Sequence, residues 1–178
     1  KVVAEEKLDL VIANRNAPNQ AVLSGSRDEI ARAATILSGR CLTAKEIPVA
    51  AAFHSPLVAD AAEPFAAEVR KTSFAKGSCP VYANTTAAVY PSSSDEAADL
   101  LGFQLAKPVE FVAEIEALYA SGVRTFVEIG PGARLSGLVK AILGDRDHKA
   151  VAIDASSGKR SGIADLGRAL GQIAVAGL

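Results

Sequence analysis

The two histidines are the side chains of this sequence best suited to moving protons near neutral pH. His54 lies in the stretch Pro48–Val58, between an apolar segment and a proline that can begin a helix. An imidazole among small apolar residues needs a hydrogen-bond partner, and it can serve as a general acid or base. Both interpretations of His54 stay open here, a hydrogen-bonded core residue and a catalytic one. His148 lies in a run of charged residues, which predicts a surface position.

No nucleophile motif accompanies the histidine. The sequence has no Gly-x-Ser-x-Gly, so a hydrolase-type serine on a strand–turn–helix elbow is not expected within these residues. It has no glycine-rich phosphate loop, no His-Glu-x-x-His motif and no clustered carboxylate pair. The run Gly130–Gly132 follows a predicted strand and could cradle a phosphate. Its central proline, and the lack of a lysine placed to reach a phosphate, favour a structural turn.

The composition indicates a globular protein with no strong electrostatic preference. The 178 residues are 49% hydrophobic and 22% charged, and the formal net charge is −1. So weak a charge argues against a nucleic-acid or anionic-membrane partner. Cys41 and Cys79 are too few for a disulfide framework and lack metal-ligand spacing. They predict no metal site and a reducing, cytoplasmic environment.

Residues 1–53 have the pattern of a small antiparallel α+β subdomain. In order, the pattern predicts the end of a helix, two strands, a helix and a third strand, over Lys1–Leu8, Leu8–Asn14, Gln20–Gly25, Arg27–Gly39 and Cys41–Val49. Turn-forming residues fill Asn14–Gln20, which predicts a loop. We expect Ser26 to cap the helix, and Leu42 and Ile47 to be buried in the third strand.

Residues 54–178 alternate helices with apolar strands, which predicts a parallel α/β layer. Helices are expected from Ser55 towards Arg70, over Glu96–Ala106 and Val109–Ala120, up to Ile142, and from Ile163, with strands in Cys79–Thr86, Arg124–Gly130 and Ala150–Asp154. The run Ser92–Glu96 is expected to cap the second of these helices. The sequence lacks Met and opens at Lys1 within a helical pattern that has no N-cap. We therefore expect it to be a piece of a longer polypeptide.

Three motifs occur in order along the chain. They are N-x-N-x-P-x-Q followed by Ser-Gly in Asn14–Gly25, Ala-Ala-Phe-His-Ser in Ala51–Ser55, and the pair Gln104–Phe111 and Thr125–Leu135. Together they resemble the acyltransferases that load fatty-acid and polyketide synthases, among them malonyl-CoA:acyl-carrier-protein transacylases. The first two are most similar to the acyltransferases of polyunsaturated-fatty-acid synthases. The resemblance covers essentially the whole chain, but only the carboxy-terminal part of the family's domain.

The resemblance implies roles for single residues. His54 resembles the general base that takes a proton from a nucleophilic serine and later returns one to the leaving thiol, without an obligatory carboxylate. Gln104 resembles the position whose main-chain carbonyl accepts a hydrogen bond from the other ring nitrogen. Phe53 resembles the malonyl-type signature, where a bulky ring fills the space that a 2-methyl substituent would need. Core packing is the other interpretation of Phe53.

Three further residues resemble the family's loop at the entrance for acyl-CoA and pantetheine. They are Asn14, Asn16 and Gln20. Asparagine and glutamine also cap turns, so a purely structural role stays open for them.

The implied fold is α/β. Residues 1–53 would form a ferredoxin-like subdomain, truncated at its amino-terminal end, and residues 54–178 the carboxy-terminal part of an α/β-hydrolase-like acyltransferase core. The implied reaction moves a malonyl group from coenzyme A to the phosphopantetheine thiol of an acyl carrier protein, with no metal or redox cofactor. The family's serine, carboxylate-binding arginine and oxyanion-hole donor all precede the region that this chain resembles. The chain alone is therefore expected to be inactive until the missing amino-terminal half is supplied.

Two other function classes stay open on the sequence. One is a non-catalytic module that docks a carrier protein. The other is a hydrolase that releases acyl groups to water with the same serine–histidine pair. The residues preceding this chain would distinguish them, because a docking module needs no serine elbow and a hydrolase needs no arginine for a malonyl carboxylate.

Overall fold

The computed structural model describes residues 2–49, 51–75 and 77–177, and Lys1 lies outside them. The helices are α1 (Val2–Glu5), α2 (Arg27–Gly39), α3 (Ala59–Val69), α4 (Ser94–Phe103), α5 (Phe111–Ala120), α6 (Arg134–Leu143) and α7 (Gly162–Val175). The strands are β1 (Leu10–Ala17), β2 (Gln20–Gly25), β3 (Tyr82–Ala83), β4 (Ala88–Val89), β5 (Thr125–Pro131) and β6 (Lys149–Asp154). Two 3₁₀ turns span Pro56–Val58 and Gln104–Ala106. Among the helices so described, none is long and apolar enough to cross a bilayer.

The chain folds into two compact units. The first consists of Gln20–Phe111 together with the stretch that ends at Asn16, and the second of Val112–Leu178 together with Ala17–Asn19. The sequence analysis instead divides the chain after residue 53, where a ferredoxin-like subdomain is predicted to end. That division stays a prediction.

Strands β1 and β2 form a hairpin that is a two-stranded sheet by itself. Only Pro18 and Asn19 separate them, and a two-residue connection joins antiparallel neighbours. The loop predicted over Asn14–Gln20 is therefore wrong in its extent, because the strand continues through Ala17. Strand pairing satisfies the main chain there and outweighs the local turn preference. Pro18, which has no N–H to donate, lies in the turn itself.

Helix α2 follows the hairpin as predicted. The Ser26 hydroxyl accepts a hydrogen bond from the Glu29 N–H at 3.3 Å, which caps the helix. Ala33 on this helix packs with Leu8 and Leu10 in a small buried cluster.

The third strand of the predicted subdomain does not form. Residues 41–49, all of which the structure describes, contain no strand. Leu42 is 49% exposed and Ile47 is 56% exposed, so the prediction that they are buried is wrong. Strand formation needs a neighbouring strand to pair with, and apolar residues in a short segment do not supply one.

Helices α3 and α4 pack closely in the first unit. The Ser93 hydroxyl accepts from the Glu96 N–H and begins α4, as the sequence predicts. Ala66 of α3 is fully buried, and a Cβ built on Gly102 of α4 would lie 2.5 Å from the Ala66 Cβ. The absence of a side chain at Gly102 therefore allows the two helices to approach. This contact fixes the carboxyl end of α4, which ends one residue later.

The second unit has the parallel α/β arrangement that the sequence predicts for residues 54–178. The strand predicted in Cys79–Thr86 does not join it, because β3 pairs antiparallel with β4 in a separate two-stranded sheet. Strands β5 and β6 pair in parallel, with Val127 opposite Val151, and α6 connects them. Val151 and Ala169 of α7 are both buried.

The turn predicted at Gly130–Gly132 is wrong in its extent, because Gly130 and Pro131 are the last residues of β5 and only Gly132, whose N–H donates to the Asp154 carbonyl at 2.7 Å, lies beyond the strand. The N–H groups in the first turn of α6 already bind an anionic side chain. The Glu128 carboxylate accepts from the N–H groups of Leu135 and Ser136 at 3.1 and 2.8 Å. These donors are therefore not available to a phosphate.

We expect Gly102→Ala to lower the melting temperature, because the added methyl would clash with the Ala66 backbone at 2.6 Å as well as with its side chain. The overpacking should cost about 1–3 kcal/mol. Gly137→Ala in α6 is the control, since a Cβ at Gly137 would meet nothing within 4 Å. Helix propensity predicts that this control gains up to about 1 kcal/mol. Thermal unfolding followed by circular dichroism measures both, and equal melting temperatures would contradict the close-approach argument.

We expect Glu128→Gln to reduce the amount of folding stability that the chain loses as the pH is lowered. Burial alone would raise the pKa of Glu128, but hydrogen bonds from Ser136 and Leu135 outweigh it and hold the pKa below its usual 4.5. The charged carboxylate thus stabilises the fold above pH 4.5, and this contribution is lost as pH falls through the lower folded-state pKa. Removing the charge should cost about 1 kcal/mol at pH 7 and progressively less as the pH falls below 4.5.

The control for this measurement is Glu114→Gln. Burial raises the pKa of Glu114, so removing its charge should raise the melting temperature at pH 7. Melting curves between pH 3 and pH 7 compare the two variants. A parallel pH dependence of Glu128→Gln and the unsubstituted chain would refute the capping role.

Candidate active site

His54 occupies a tight turn with an unusual backbone conformation. Its φ angle is +60°, in the left-handed region that residues other than glycine rarely adopt. That conformation costs about 1 kcal/mol, so surrounding contacts must favour it. Ser55, which is 1% exposed, supplies two of them. Its hydroxyl donates to the Ala52 carbonyl at 2.5 Å and accepts from the Leu57 N–H at 3.3 Å, which begins the following 3₁₀ turn.

The carboxyl end of α4 supplies the remaining contacts of His54. A helix ends with carbonyls that have no partner within the helix, and Pro108, which disfavours helix at the residue before it, stops the chain from continuing. The His54 main-chain N–H donates to the Leu105 carbonyl at 2.9 Å. The ring Nδ1 lies 3.1 Å from both the Gln104 and the Lys107 carbonyl oxygens.

These distances define the tautomer of the neutral ring. Both neighbours of Nδ1 are carbonyl oxygens, which can only accept, so Nδ1 carries the hydrogen and donates to them. Nε2 then holds the lone pair and can accept a proton. No described residue forms a hydrogen bond with Nε2.

Further hydrogen bonds hold the segment that surrounds the ring. The Gln104 side-chain amide donates to the Asn84 Oδ1 at 2.6 Å, and the Asn84 carbonyl accepts from the Glu110 N–H at 2.7 Å. Glu110 forms an ion pair with Arg15 of β1. The neighbouring main chain pairs as well, because the Val109 N–H donates to the Ala13 carbonyl at 2.8 Å. The carbonyls that contact His54 are therefore tied to β1.

The structure brings three of the predicted site residues together and leaves three apart. His54 contacts the Gln104 carbonyl, and Phe53 is the residue directly before His54. The Phe53 ring is 44% exposed, so it is not packed in the core.

Asn14 lies on β1 in a main-chain bridge with Val109. Asn16 lies two residues further along β1, and Gln20 is an exposed first residue of β2. No hydrogen bond joins these three side chains to His54 in the described part of the chain. Their roles at a substrate entrance stay predictions.

His148 is not part of this group. It lies in the second unit, partly buried, with its Nδ1 2.7 Å from the Arg146 carbonyl oxygen. Within residues 2–49, 51–75 and 77–177, no three His, Cys, Asp or Glu side chains cluster as a metal site would require.

Sequence reasoning missed the Lys107 carbonyl and Asn84. Lys107 precedes a proline, which disfavours helix and frees its carbonyl, so its position was a usable signal. Asn84 lies in an ordinary turn sequence and gave no such signal.

The comparisons with known proteins define the class. Residues 2–174 match the family model of the acyl transferase domain. The chain belongs to this family of acyltransferases, which includes malonyl-CoA acyl-carrier-protein transacylases.

Individual relatives agree with that assignment. The chain is 36% identical over 152 residues to the malonyl CoA-acyl carrier protein transacylase of Bacillus subtilis, covering 85% of this chain and 47% of that protein. It is 32% identical over 170 residues to a polyunsaturated fatty acid synthase polypeptide of Thraustochytrium sp., covering 94% of this chain and 6% of that protein. The resemblance to polyunsaturated-fatty-acid synthases is thereby confirmed.

A solved structure extends the likeness to the fold. The malonyl-transacylase PlMCAT, in complex with the type II polyketide synthase acyl-carrier protein AntF, superposes with a TM-score of 0.79. It is 26% identical, and the match covers 94% of this chain and 51% of that one. The chain thus spans about half the length of the transacylases it matches, and the α/β fold class predicted from the sequence is confirmed.

We expect the neutral His54 ring to carry its hydrogen on Nδ1. A long-range ¹H–¹⁵N spectrum of the neutral ring should show this tautomer, and His148→Gln assigns the signals because the chain has two histidines. Gln104→Ala should leave the pattern unchanged, since the acceptor is the main-chain carbonyl. An Nε2–H pattern for His54 would contradict the geometry.

Proposed function

We propose that this chain is the histidine-bearing part of an acyltransferase that moves a malonyl group from coenzyme A to the phosphopantetheine thiol of an acyl carrier protein. Membership of the acyl transferase domain family supports the reaction class. The malonyl and carrier-protein assignments are supported by relatives with those names. The observation that carries the proposal is the His54 ring, whose Nδ1 donates to two carbonyls and whose Nε2 lone pair has no described partner.

In the proposed first half-reaction, Nε2 of His54 accepts the proton of a serine hydroxyl as that oxygen attacks the thioester carbonyl of malonyl-CoA. The carbon–sulfur bond breaks, and the imidazolium gives its proton to the departing coenzyme A thiolate. In the second half-reaction, His54 takes the proton of the pantetheine thiol as its sulfur attacks the serine ester, and returns that proton to the serine. The fixed Nδ1 hydrogen bonds keep Nε2 in one orientation through both steps.

The serine, and the arginine that would bind the malonyl carboxylate, are proposed to lie on polypeptide outside these 178 residues. The sequence has no Gly-x-Ser-x-Gly motif, and the chain spans about half the length of the transacylases it matches. The exposed face of β5 supports the same proposal. In the described chain β5 pairs with β6 alone, and Ile129 is 84% exposed. Parallel sheets are ordinarily larger and covered on both faces, so further strands and helices are expected beside β5.

We assign substrate-facing roles to Phe53 and to three residues of the β1–β2 hairpin. Phe53 precedes the base, and its half-exposed ring suits a wall that leaves no space for a 2-methyl group, which favours malonyl over methylmalonyl. Asn14, Asn16 and Gln20 are proposed to line the entrance for coenzyme A and pantetheine. Asn14 is the best supported, because its main chain pairs with the segment that follows the His54 acceptors.

The proposed reaction needs no metal or redox cofactor, since exchange between two thioesters changes no oxidation state and His54 supplies the proton transfer. The proposed partners are malonyl-CoA, the acyl carrier protein and the missing amino-terminal half of the domain, with no nucleic acid or membrane among them. Cys41 and Cys79 are both exposed and unpaired, which supports a reducing, cytoplasmic setting.

The decisive experiment is His54→Ala in the complete protein that contains this chain. Transfer of radiolabelled malonyl from coenzyme A to the holo carrier protein should fall by about 10²- to 10⁴-fold, the usual contribution of a positioned proton-transfer group. His148→Ala is the matched control and should transfer at the unsubstituted rate. Transfer that survives His54→Ala at that rate would end the proposal.

Two further arms of this assay separate the alternatives. Release of coenzyme A and malonate without labelled carrier would indicate a hydrolase. The 178-residue chain by itself should show no transfer above background, because it would hold a base without a nucleophile. Activity of the isolated chain would overturn the division of the site between two stretches of polypeptide.

A further inference from the structure

The peptide group between Phe53 and His54 is held at both of its polar atoms. Its carbonyl oxygen, on Phe53, accepts a hydrogen bond from the Ser24 hydroxyl at 3.1 Å. Its N–H, on His54, donates to the Leu105 carbonyl at 2.9 Å. Ser24 lies on β2, 29 residues away in sequence from Phe53. The Ser24 side chain of the β1–β2 hairpin thus contacts the main chain directly before His54, the candidate base.

This peptide group determines whether His54 can keep its left-handed conformation. A positive φ at a residue with a side chain is unfavourable, and rotating the preceding peptide plane is the local way to relieve it. Such a rotation would turn the Phe53 oxygen away from Ser24 and the His54 N–H away from Leu105. With both polar atoms released, the turn would no longer be held against α4, and the ring Nδ1 would lose its fixed position at the carbonyls of Gln104 and Lys107.

Ser24 is well placed to oppose that rotation because its own strand end is fixed. The next residue, Gly25, lies so close to β1 that a Cβ on it would overlap the Leu10 side chain and lie 2.9 Å from the Asp9 carbonyl oxygen. The adjoining Ser26 begins α2. The hydroxyl of Ser24 is therefore presented from a closely packed strand end.

We propose that Ser24 is a positioning residue: its hydroxyl holds the Phe53–His54 peptide in the orientation that keeps the imidazole on the carbonyls at the end of α4. Ser24 does not contact the reacting atoms and acts through His54. The consequence for catalysis rests on the proposed function, but the hydrogen bonds concern this chain whatever reaction it serves. The test is therefore made on the chain itself and needs no activity.

The primary measurement is native-state hydrogen exchange at the His54 main-chain amide, which donates to Leu105 and is released when the peptide rotates. In Ser24→Ala the loss of one hydrogen bond should speed this exchange about fivefold. The Val109 amide, which donates to Ala13, should keep its rate and serves as the reference for general destabilisation. Ser38→Ala is the matched control, because the described residues give the Ser38 hydroxyl no hydrogen bond and its side chain is exposed.

Two further readouts separate positioning from a structural role. The long-range ¹H–¹⁵N signals of the His54 ring should broaden or shift in Ser24→Ala towards a mixture of tautomers, with the His148 signals of the same sample unchanged. Ser24→Thr keeps the hydroxyl and suits a strand, so it should restore both the exchange rate and the ring signals. Failure of threonine to rescue would contradict the hydrogen-bond mechanism.

The outcomes of this test do not depend on the proposed function. If His54 amide exchange and ring signals are the same in Ser24→Ala as in the unsubstituted chain, the positioning role is wrong, even if His54 proves to be the base. If both change while His54→Ala leaves malonyl transfer intact in the complete protein, Ser24 positions His54 but the acyl-transfer proposal fails. Equal acceleration at Val109 would show general loosening and would also overturn the specific role.

Discussion

The hydrogen bonds from the His54 ring to the carboxyl end of α4 are the interaction on which the candidate site depends. They arise because α4 stops at a 3₁₀ turn before Pro108. The carbonyls of Leu105 and Lys107 are left without helical partners, and the Gln104 carbonyl has one, the Lys107 N–H at 3.1 Å. One imidazole and one main-chain amide satisfy all three acceptors. The need of the helix end for donors and the need of the ring for a fixed tautomer are thereby met by the same contacts.

Because main-chain carbonyls hold the ring, its position depends on how the backbone of the first unit is packed and paired. The α3–α4 approach at Gly102 fixes where α4 ends. The pairing of Val109 with β1 and the Asn84 hydrogen bonds fix the segment that follows. A substitution far from the ring can therefore alter it by moving a carbonyl. The acceptors themselves are not open to side-chain mutation, since they belong to the main chain.

The sequence predicted those features that depend on short-range chemistry. Helix caps at Ser26 and Ser93 and the alternation of β5, α6 and β6 could all be identified, because capping residues and apolar periodicity act within a few positions. The resemblance to acyltransferases pointed to His54 and Gln104 from three motifs in order.

What the sequence did not predict depends on partners distant along the chain. The stretch 41–49 has strand-like residues but no strand beside it, whereas Asn14 and Asn16 have turn-like residues within a paired strand. The positive φ of His54 is imposed by hydrogen bonds from residues up to 53 positions away, and no local pattern encodes it. The Ser24 contact is of the same kind.

The uncovered side of β5 has a practical consequence for anyone who handles this polypeptide by itself. A strand with a row of open main-chain groups and an apolar face is a template for the same strand of a neighbouring molecule. Ile129 and Val127 would then be buried between copies instead of in a larger sheet. Production in isolation thus favours self-association at high concentration, whereas any polypeptide that paired with β5 would shield that edge.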